Sequence, residues 1–168
     1  MQALAQGIYT TKNGEVSFLS QAPLENIEAH NNKAGSVLKT ASSEIMFFIP
    51  INQFQFAKGL MQEHFNENYM ESDKYPDATF KGKINETIDY TKDGTYQVSA
   101  TGKIKIHGVE KDCTEKGVLT IKNGAITIQC EIEIKIKDFN IEIPKLVFNK
   151  ISETIQVKIN AVYMPYKK

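Results

Sequence analysis

Residues 126–137 read ITIQCEIEIKIK, and this stretch decides the fold class. Its even positions, Ile126 to Ile136, are all apolar, and its odd positions, Thr127 to Lys137, are all polar. Side chains of a β-strand point alternately to opposite faces, so the pattern predicts a strand with one dry face and one wet face. At ~3.4 Å per residue the strand would span about 40 Å, roughly twice the usual length. Such a long dry face needs an equally long apolar partner surface, which a tall closed barrel supplies.

Similar alternation recurs along the chain and predicts about eight strands and one short helix. Asn13-Gly14, Asp93-Gly94 and Asn123-Gly124 are typical of hairpin turns. Apolar residues at helical spacing predict the helix within residues 57–70. The sequence therefore predicts an all-β, antiparallel meander closed into a barrel. The clearest predicted strands are residues 7–11, 15–20, 43–56, 79–90, 96–106, 126–137 and 152–164, whereas residues 27–38 are ambiguous.

Composition excludes several classes of function. The 168 residues fit one domain, and 20 basic residues balance 20 acidic ones, so no global field attracts nucleic acid or an anionic membrane. Every basic residue is Lys, whereas direct readout of guanine favours Arg. We therefore expect no nucleic-acid partner. The longest apolar run, Ile45 to Ile51, has seven residues and is far shorter than the ~20 residues of a membrane-spanning helix.

The first six residues resemble the end of a signal peptide. Ala3-Leu4-Ala5 fits the small-x-small pattern of a signal-peptidase site, with Gln6 as the mature start. We expect residues 1–6 to be a signal-peptide remnant of a trimmed, exported protein, or else an ordinary disordered start. Residues 7–168 are expected to form the single barrel domain.

The two cysteines, Cys113 and Cys130, are expected to remain unpaired. A type I′ turn at Asn123-Gly124 places Lys122 opposite Ala125, so facing residue numbers sum to 247. Cys113 then faces Ile134 and Cys130 faces Gly117. The two thiols would share a face but lie roughly 13 Å apart, which is too far for a disulfide. Both are interpreted as small apolar core residues.

Two sequence blocks resemble the YceI-like family. The first is residues 61–82, MQEHFNENYMESDKYPDATFKG, with Met61, the pair His64-Phe65 and the run from Lys74 to Gly82. The second is residues 102–111, GKIKIHGVEK, a strand leading into a His-Gly-Val turn. The two blocks occur in the family's order, and the resemblance covers residues 7–162. Residues 21–43 match the family least.

The resemblance implies an extended, lipocalin-like, eight-stranded barrel of a bacterial protein that is periplasmic or secreted. It also implies a polyisoprenoid or isoprenoid-quinone lipid held inside the barrel, without catalysis or a cofactor. His64 and Tyr75 would contact the ligand's head group at the rim, and the inward-facing residues would contact its chain. The expected ligand-binding residues are Met61, His64, Phe65, Tyr75, Phe80, Ile84, Ile104, Ile106, Ile128, Cys130, Ile132, Ile155, Val157 and Ile159.

Other chemistry finds little support in the sequence. The three histidines, His30, His64 and His107, are scattered and form neither a zinc site nor a His-Glu-x-x-His motif, so no metal is expected. His107-Gly108 is interpreted as a structural turn. The sequence contains no Gly-x-Ser-x-Gly nucleophile elbow and no glycine-rich phosphate loop.

Three readings of function stay open at this level. The first is a carrier or sequestering protein for a long apolar lipid. The second is a small barrel enzyme, an isomerase or cyclase, which would need a titratable group facing inward. The third is an interaction domain with a solid core, and long strand edges leave room for a homodimer.

Sequence cannot separate a filled barrel from a hollow one. The small residues expected to make room for a ligand are Gly82, Ala100, Gly102, Cys130 and Ala161. On this view Gly102→Leu would destabilise a solid barrel and be tolerated by a hollow one.

Overall fold

Long strands dominate the computed structural model, which describes residues 7–143 and 151–166. The single α-helix, α1 (Gly59–His64), continues into a π-helical turn (Phe65–Tyr69), and short 3₁₀ turns cover Ile51–Gln53 and Ile136–Phe139. None of the described helices is long and apolar enough to cross a membrane. The strands are β1 (Ile8–Gln21), β2 (Asn26–Lys39), β3 (Glu44–Pro50), β4 (Gln55–Phe56), β5 (Asp77–Ile84), β6 (Gly94–Ile106), β7 (Val109–Lys122), β8 (Ala125–Lys135) and β9 (Thr154–Pro165).

Eight of these strands close into an antiparallel barrel. The order around the barrel is β1-β9-β8-β7-β6-β5-β3-β2, and pairing of β2 with β1 completes the ring. The two-residue strand β4 lies against β2, where Ala29 pairs with Phe56. The predicted fold class, an eight-stranded antiparallel barrel with one short helix, is confirmed.

The start of the chain departs from the prediction, because Asn13-Gly14 does not form a hairpin. β1 is one continuous strand, and its register against β2 shifts on both sides of Gly14. The ambiguous stretch 27–38 is likewise one strand, β2. A β-carbon on Gly14 would lie 3.1 Å from the Ala34 carbonyl oxygen, so the glycine allows the two strands to approach closely at the bulge.

Two further boundaries differ from the prediction. β5 ends at Ile84 and a loop leads to β6, so Asp93-Gly94 does not form a two-residue hairpin. β8 ends at Lys135, where the chain turns into a 3₁₀ segment. The Asn123-Gly124 turn is confirmed: both residues have positive φ, 51° and 83°, and Lys122 pairs with Ala125. The expectations for residues 1–6 and for part of the connection 138–151 lie outside the described residues.

The inward faces of the strands form two apolar clusters, one at each end of the barrel. We call the first the packed end; it lies beside the Asn123-Gly124 turn and includes Tyr9, Leu38, Tyr90, Leu119, Ile121, Ile126 and Tyr163. The second, the helix end, lies beneath α1 and includes Val16, Ile51, Phe54, Phe65, Met70, Ile136, Phe139 and Ile141.

Candidate functional site: an apolar cavity inside the barrel

A cavity of about 240 Å³ occupies the barrel interior. Strands from every side of the barrel line it, together with α1, the π turn and the 3₁₀ segments. Its described lining is almost wholly apolar. The polar residues that it contains are Ser20, Thr79, Glu115 and Lys116. A narrow apolar cavity of this kind suits a hydrocarbon chain.

The packed end seals the cavity at the Asn123-Gly124 end of the barrel. Tyr163, Leu119 and Ile126 are fully buried there. Ser36 donates a hydrogen bond to the Met46 carbonyl oxygen at 2.7 Å, and its hydroxyl lies 2.6 Å from that of Tyr163. Because the Ser36 proton goes to the carbonyl, the Tyr163 hydroxyl donates to Ser36. The buried tyrosine is thus satisfied, and this end is a solid core.

Four phenylalanines close the opposite end beneath the helix. Phe18, on β1, lies 5.1 Å from Phe54 and 5.5 Å from Phe65, measured between ring centroids. Phe56 lies 4.9 Å from Phe65. Edge-to-face, stacked and tilted ring contacts of this kind add stability beyond that of buried area alone. The helix end therefore offers a ligand only apolar contacts among these rings.

Most of the predicted ligand-binding residues lie on the cavity wall. For the residues on strands, the alternating pattern correctly predicted which side chains point inward, because successive side chains of a strand point to opposite faces. Their role in binding remains a prediction. The predicted residues found on the wall are Met61, Phe65, Phe80, Ile84, Ile104, Ile106, Ile128, Cys130, Ile132, Ile155, Val157 and Ile159.

The two sequence blocks that carry the family resemblance meet at the helix end. The ring centroids of Tyr75, from the first block, and His107, from the second, are 4.8 Å apart. A β-carbon on Gly108 would lie 2.5 Å from the Tyr75 ring, and its φ is +76°. Glycine is thus required there both by space and by backbone conformation.

Comparison with known sequences gives the same assignment. The profile of the YceI-like domain matches residues 9–163, which is most of the chain. The chain belongs to the YceI-like family. No curated protein sequence matches it significantly.

Solved structures share the fold of this YceI-like protein at low sequence identity. A polyisoprenoid-binding domain from Saccharophagus degradans, implicated in plant cell wall breakdown, has a TM-score of 0.78 and 18% identity, covering 96% of this chain and 99% of that one. BcnA of Burkholderia cenocepacia has a TM-score of 0.75 and 19% identity, with coverages of 89% and 95%. A YceI protein of Campylobacter jejuni has a TM-score of 0.66 and 19% identity, with coverages of 83% and 85%.

The two residues expected to meet a head group do not lie on the described cavity wall of the YceI-like barrel. His64 is on α1, and its Nδ1 is 2.7 Å from the Asn68 amide nitrogen. Tyr75 packs against His107 and Gly108. In the described structure both residues therefore hold local structure, and their contact with a ligand remains only a prediction.

His107 ties three segments together, which supports its interpretation as structural. Its Nδ1 lies 2.9 Å from the Phe139 carbonyl oxygen, and its Nε2 lies 2.8 Å from a Glu71 carboxylate oxygen. Both partners are acceptors. A neutral ring has one N–H and can donate to only one of them, whereas the imidazolium can donate to both. The β6–β7 turn is thereby fixed to the π-helical side and to the 3₁₀ turn after β8.

Two of the small residues expected to make room for a ligand have another role. A β-carbon on Gly102 would lie 2.1 Å from the Lys81 carbonyl oxygen. One on Gly82 would lie 2.5 Å from the Thr101 carbonyl oxygen and 2.6 Å from the Phe80 ring. The space is occupied by neighbouring atoms. The proposed Gly102→Leu test is therefore wrong, because the substitution would collide with backbone in a hollow barrel as well as in a solid one.

The other small residues expected to make room for a ligand lie in two different parts of the barrel interior. Ala100 and Cys130 line the cavity, whereas Ala161 is 1% exposed and belongs to the packed end. The interior is therefore solid at one end and hollow over the rest of its length.

The predicted register of β7 and β8 is confirmed, but their pairing stops early. Gly117 pairs with Cys130 as expected, and no pair between these strands follows toward the helix end within the described residues. Cys113 therefore has no partner on β8, although it pairs with Gly102 on β6. Both cysteines are free.

The predicted ligand-binding set missed the acidic wall residue Glu115, as well as apolar wall residues such as Phe18 and Phe54. Glu115 lies between Cys113 and Gly117 on the inward parity of β7, pairs with Ala100, and lines the cavity. Burial raises the pKa of its carboxyl group. The predicted register already placed Cys113 and Cys130 on the inward face. Because every second residue of a strand shares a face, the same register also predicts that Glu115 points inward.

Within residues 7–143 and 151–166, no group of three or more His, Cys, Asp or Glu side chains is arranged to hold a metal ion.

Proposed function

We propose that this YceI-like protein binds a long apolar lipid of polyisoprenoid or isoprenoid-quinone type inside its barrel, as a carrier or sequestering protein. The observation that carries the proposal is the narrow cavity with an almost wholly apolar lining. Each CH₂ group transferred from water into such a cavity contributes ~0.8 kcal/mol, so a long chain would bind strongly. The related Saccharophagus degradans domain is described as polyisoprenoid-binding, which supports this ligand class.

The residues that line the cavity are better suited to binding an apolar ligand than to catalysing a reaction. The enzyme reading needs an inward titratable group, and Glu115 is one. Ser20 and Thr79, however, lie on β1 and β5, away from Glu115 on β7, and the side chain of Lys116, the neighbour of Glu115, points to the opposite face of β7 and is exposed. General acid–base chemistry needs groups within hydrogen-bond reach of one reacting centre. We therefore propose a binding protein rather than an isomerase or cyclase.

We further propose that the protein acts outside the cytoplasm, as a periplasmic or secreted protein. The Ala3-Leu4-Ala5 pattern supports this. Fractionation of the native host tests it: recovery of the protein with the cytoplasmic fraction, with an N-terminus that begins before Ala3, would contradict export.

The first test is to purify the protein from its native host, extract it with organic solvent and analyse the extract by mass spectrometry. A stoichiometric isoprenoid is the expected result. A protein that carries no lipid, and takes up no isoprenoid when offered one, would contradict the proposal.

Substitutions on β8 test where the chain lies. Ile132 lines the cavity, whereas Gln129 is exposed on the outer face of the same strand. Ile132→Asp places a charge in the cavity and should abolish lipid retention, because an unpaired charge in an apolar site is very costly. Gln129→Asp adds the same charge outside and should retain the lipid. Both variants are first checked for folding by circular dichroism, and full lipid retention by a folded Ile132→Asp protein would contradict an interior site.

A further inference from the structure

The wall of the barrel has an interruption between β7 and β8. These strands pair from Lys122 with Ala125 as far as Gly117 with Cys130. Before Gly117, β7 continues to pair with β6, and after Cys130, β8 continues to pair with β9. The two facing edges, residues 109–116 and 131–135, make no pairs with each other. We call this interruption the side window.

The side window lies beside both the cavity and a concave region of the outer surface. Lys116, Gly117 and Cys130 at its end line both the interior cavity and this second region, of about 890 Å³, as do Val16 and Ile159 of the paired β1–β9 wall. The polar residues of that outer region include Gln129, Glu131, Lys116 and Lys158, and the Lys158 ammonium lies 3.8 Å from the Glu131 carboxylate. An apolar interior and a polar exterior thus meet at this point of the wall.

Glu115 stands on the inner side of the window. Across the described residues, no hydrogen bond or ion pair holds its carboxylate. Its neighbours on the same face are Cys113 and Gly117 of β7, Ala100 of β6 and Cys130 of β8. Lys116 lies on the opposite parity and is exposed. The carboxylate therefore faces the cavity among groups that cannot neutralise it.

The two ends of the barrel are closed mainly by apolar side chains. The packed end is solid, with Leu119 and Ile126 fully buried. The helix end beneath α1 is closed by the four phenylalanines. A polar group left among such side chains without a partner is destabilising. Of the polar residues on the described wall, Ser20 and Thr79 carry no charge, whereas Glu115 beside the window is an inward acidic group that can accept a hydrogen bond from the polar end of a lipid.

We infer that Glu115 is a specificity-determining residue, which accepts a hydrogen bond from the hydroxyl end of an isoprenoid alcohol in the side window and disfavours the phosphorylated form of the same lipid. This rests on the proposed function. An ionised carboxylate only accepts hydrogen bonds, so a hydroxyl complements it and a phosphate, which is also anionic, is repelled. Charge-assisted hydrogen bonds are roughly twice as strong as neutral ones, so the discrimination should be large.

The experiment measures binding of a matched pair, a long-chain isoprenoid alcohol and its monophosphate, by native mass spectrometry with the lipid-free protein at pH 7.5. The wild-type protein should bind the alcohol about tenfold more tightly than the phosphate. In Glu115→Gln the two affinities should come within about threefold of each other. Glu44→Gln removes the same charge from an exposed position of β3, away from the window, and should leave the wild-type ratio unchanged.

The pH dependence separates a charge effect from a change of shape. Because burial raises the pKa of Glu115, lowering the pH to 4 protonates more of its carboxyl groups than it would for an exposed glutamate. The difference between wild type and Glu115→Gln should therefore shrink at pH 4. A difference that persists unchanged at pH 4 would overturn the charge-based inference.

Failure of the inference and failure of the proposed function give different results. If the wild type binds both lipids equally, and Glu115→Gln changes nothing, the role of Glu115 is overturned while lipid binding stands. Tighter binding of the phosphate by the wild type would also overturn it. If the wild type binds neither lipid and no other isoprenoid, the proposed function itself fails.

Discussion

Cys130 shows how burial in the barrel wall changes the chemistry of one residue. Burial, and to a lesser extent the charges of Glu115 and Glu131, raise the pKa of its thiol to about 11. The thiolate is the reactive form, so at pH 8 only about one thiol in a thousand is reactive. We therefore expect iodoacetamide to alkylate Cys130 about a hundredfold more slowly in the folded protein than in the urea-unfolded chain.

The measurement uses a Cys113→Ser background, in which Cys130 is the remaining thiol, and follows the mass of the protein with time. Because Cys130 lines the cavity, a bound lipid should slow the reaction further. Equal rates in the folded and unfolded protein would show that the Cys130 thiol is not buried and that folding does not raise its pKa.

At the scale of elements, His107 links turns that strand pairing leaves unconnected. It joins the β6–β7 turn to Glu71, after the π turn, and to Phe139, in the 3₁₀ turn after β8. These segments border the helix end of the side window, where β7 and β8 do not pair. The two polar contacts of His107 thus hold together chain segments at the helix end that pairing of β7 with β8 does not connect.

His107→Ala should lower the free energy of unfolding by about 2–3 kcal/mol, because the ring's polar contacts with Phe139 and Glu71 are lost and the Phe139 carbonyl oxygen is left unsatisfied. Urea denaturation followed by circular dichroism measures the change. His30→Ala is the matched control, since the His30 side chain is 68% exposed and its contact with Glu28 is a surface ion pair. Equal free energies of unfolding for the two variants would show that the contacts of His107 do not stabilise the fold.

At the scale of the whole molecule, the barrel combines a solid end with a hollow interior. Leu119 is fully buried in the packed end, whereas Ile132 is 9% exposed and faces the cavity. Truncation of a close-packed side chain forfeits contacts on all sides and leaves a new cavity. A side chain that already borders a cavity has fewer contacts to lose.

We therefore expect Leu119→Ala to destabilise the lipid-free protein by about 3–4 kcal/mol and Ile132→Ala by about 1–2 kcal/mol. Urea unfolding at equilibrium measures both. A lipid bound in the interior should stabilise the folded state by mass action and widen the gap between Ile132→Ala and the wild type. If Ile132→Ala cost as much as Leu119→Ala in the lipid-free protein, the interior around Ile132 would be packed rather than hollow.

The sequence alone determined most of the strands of this barrel and the face that their alternating side chains occupy. Alternation has a period of two and is local, so Ile128, Cys130 and Ile132 could be placed inward without a structure. The Asn123-Gly124 turn fixed the register of β7 against β8 for the same reason. Asn13-Gly14 was less informative, because the same dipeptide fits a bulge inside one strand.

Only the tertiary structure decided which inward residues fill the barrel and which line a cavity. That division depends on which side chains meet across the barrel, and these contacts join residues far apart in the chain. The structure likewise decided that Gly82 and Gly102 accommodate backbone rather than ligand. It also decided that β7 and β8 separate beside Glu115, because twist and bulges distributed around the whole ring determine where two strands stop pairing.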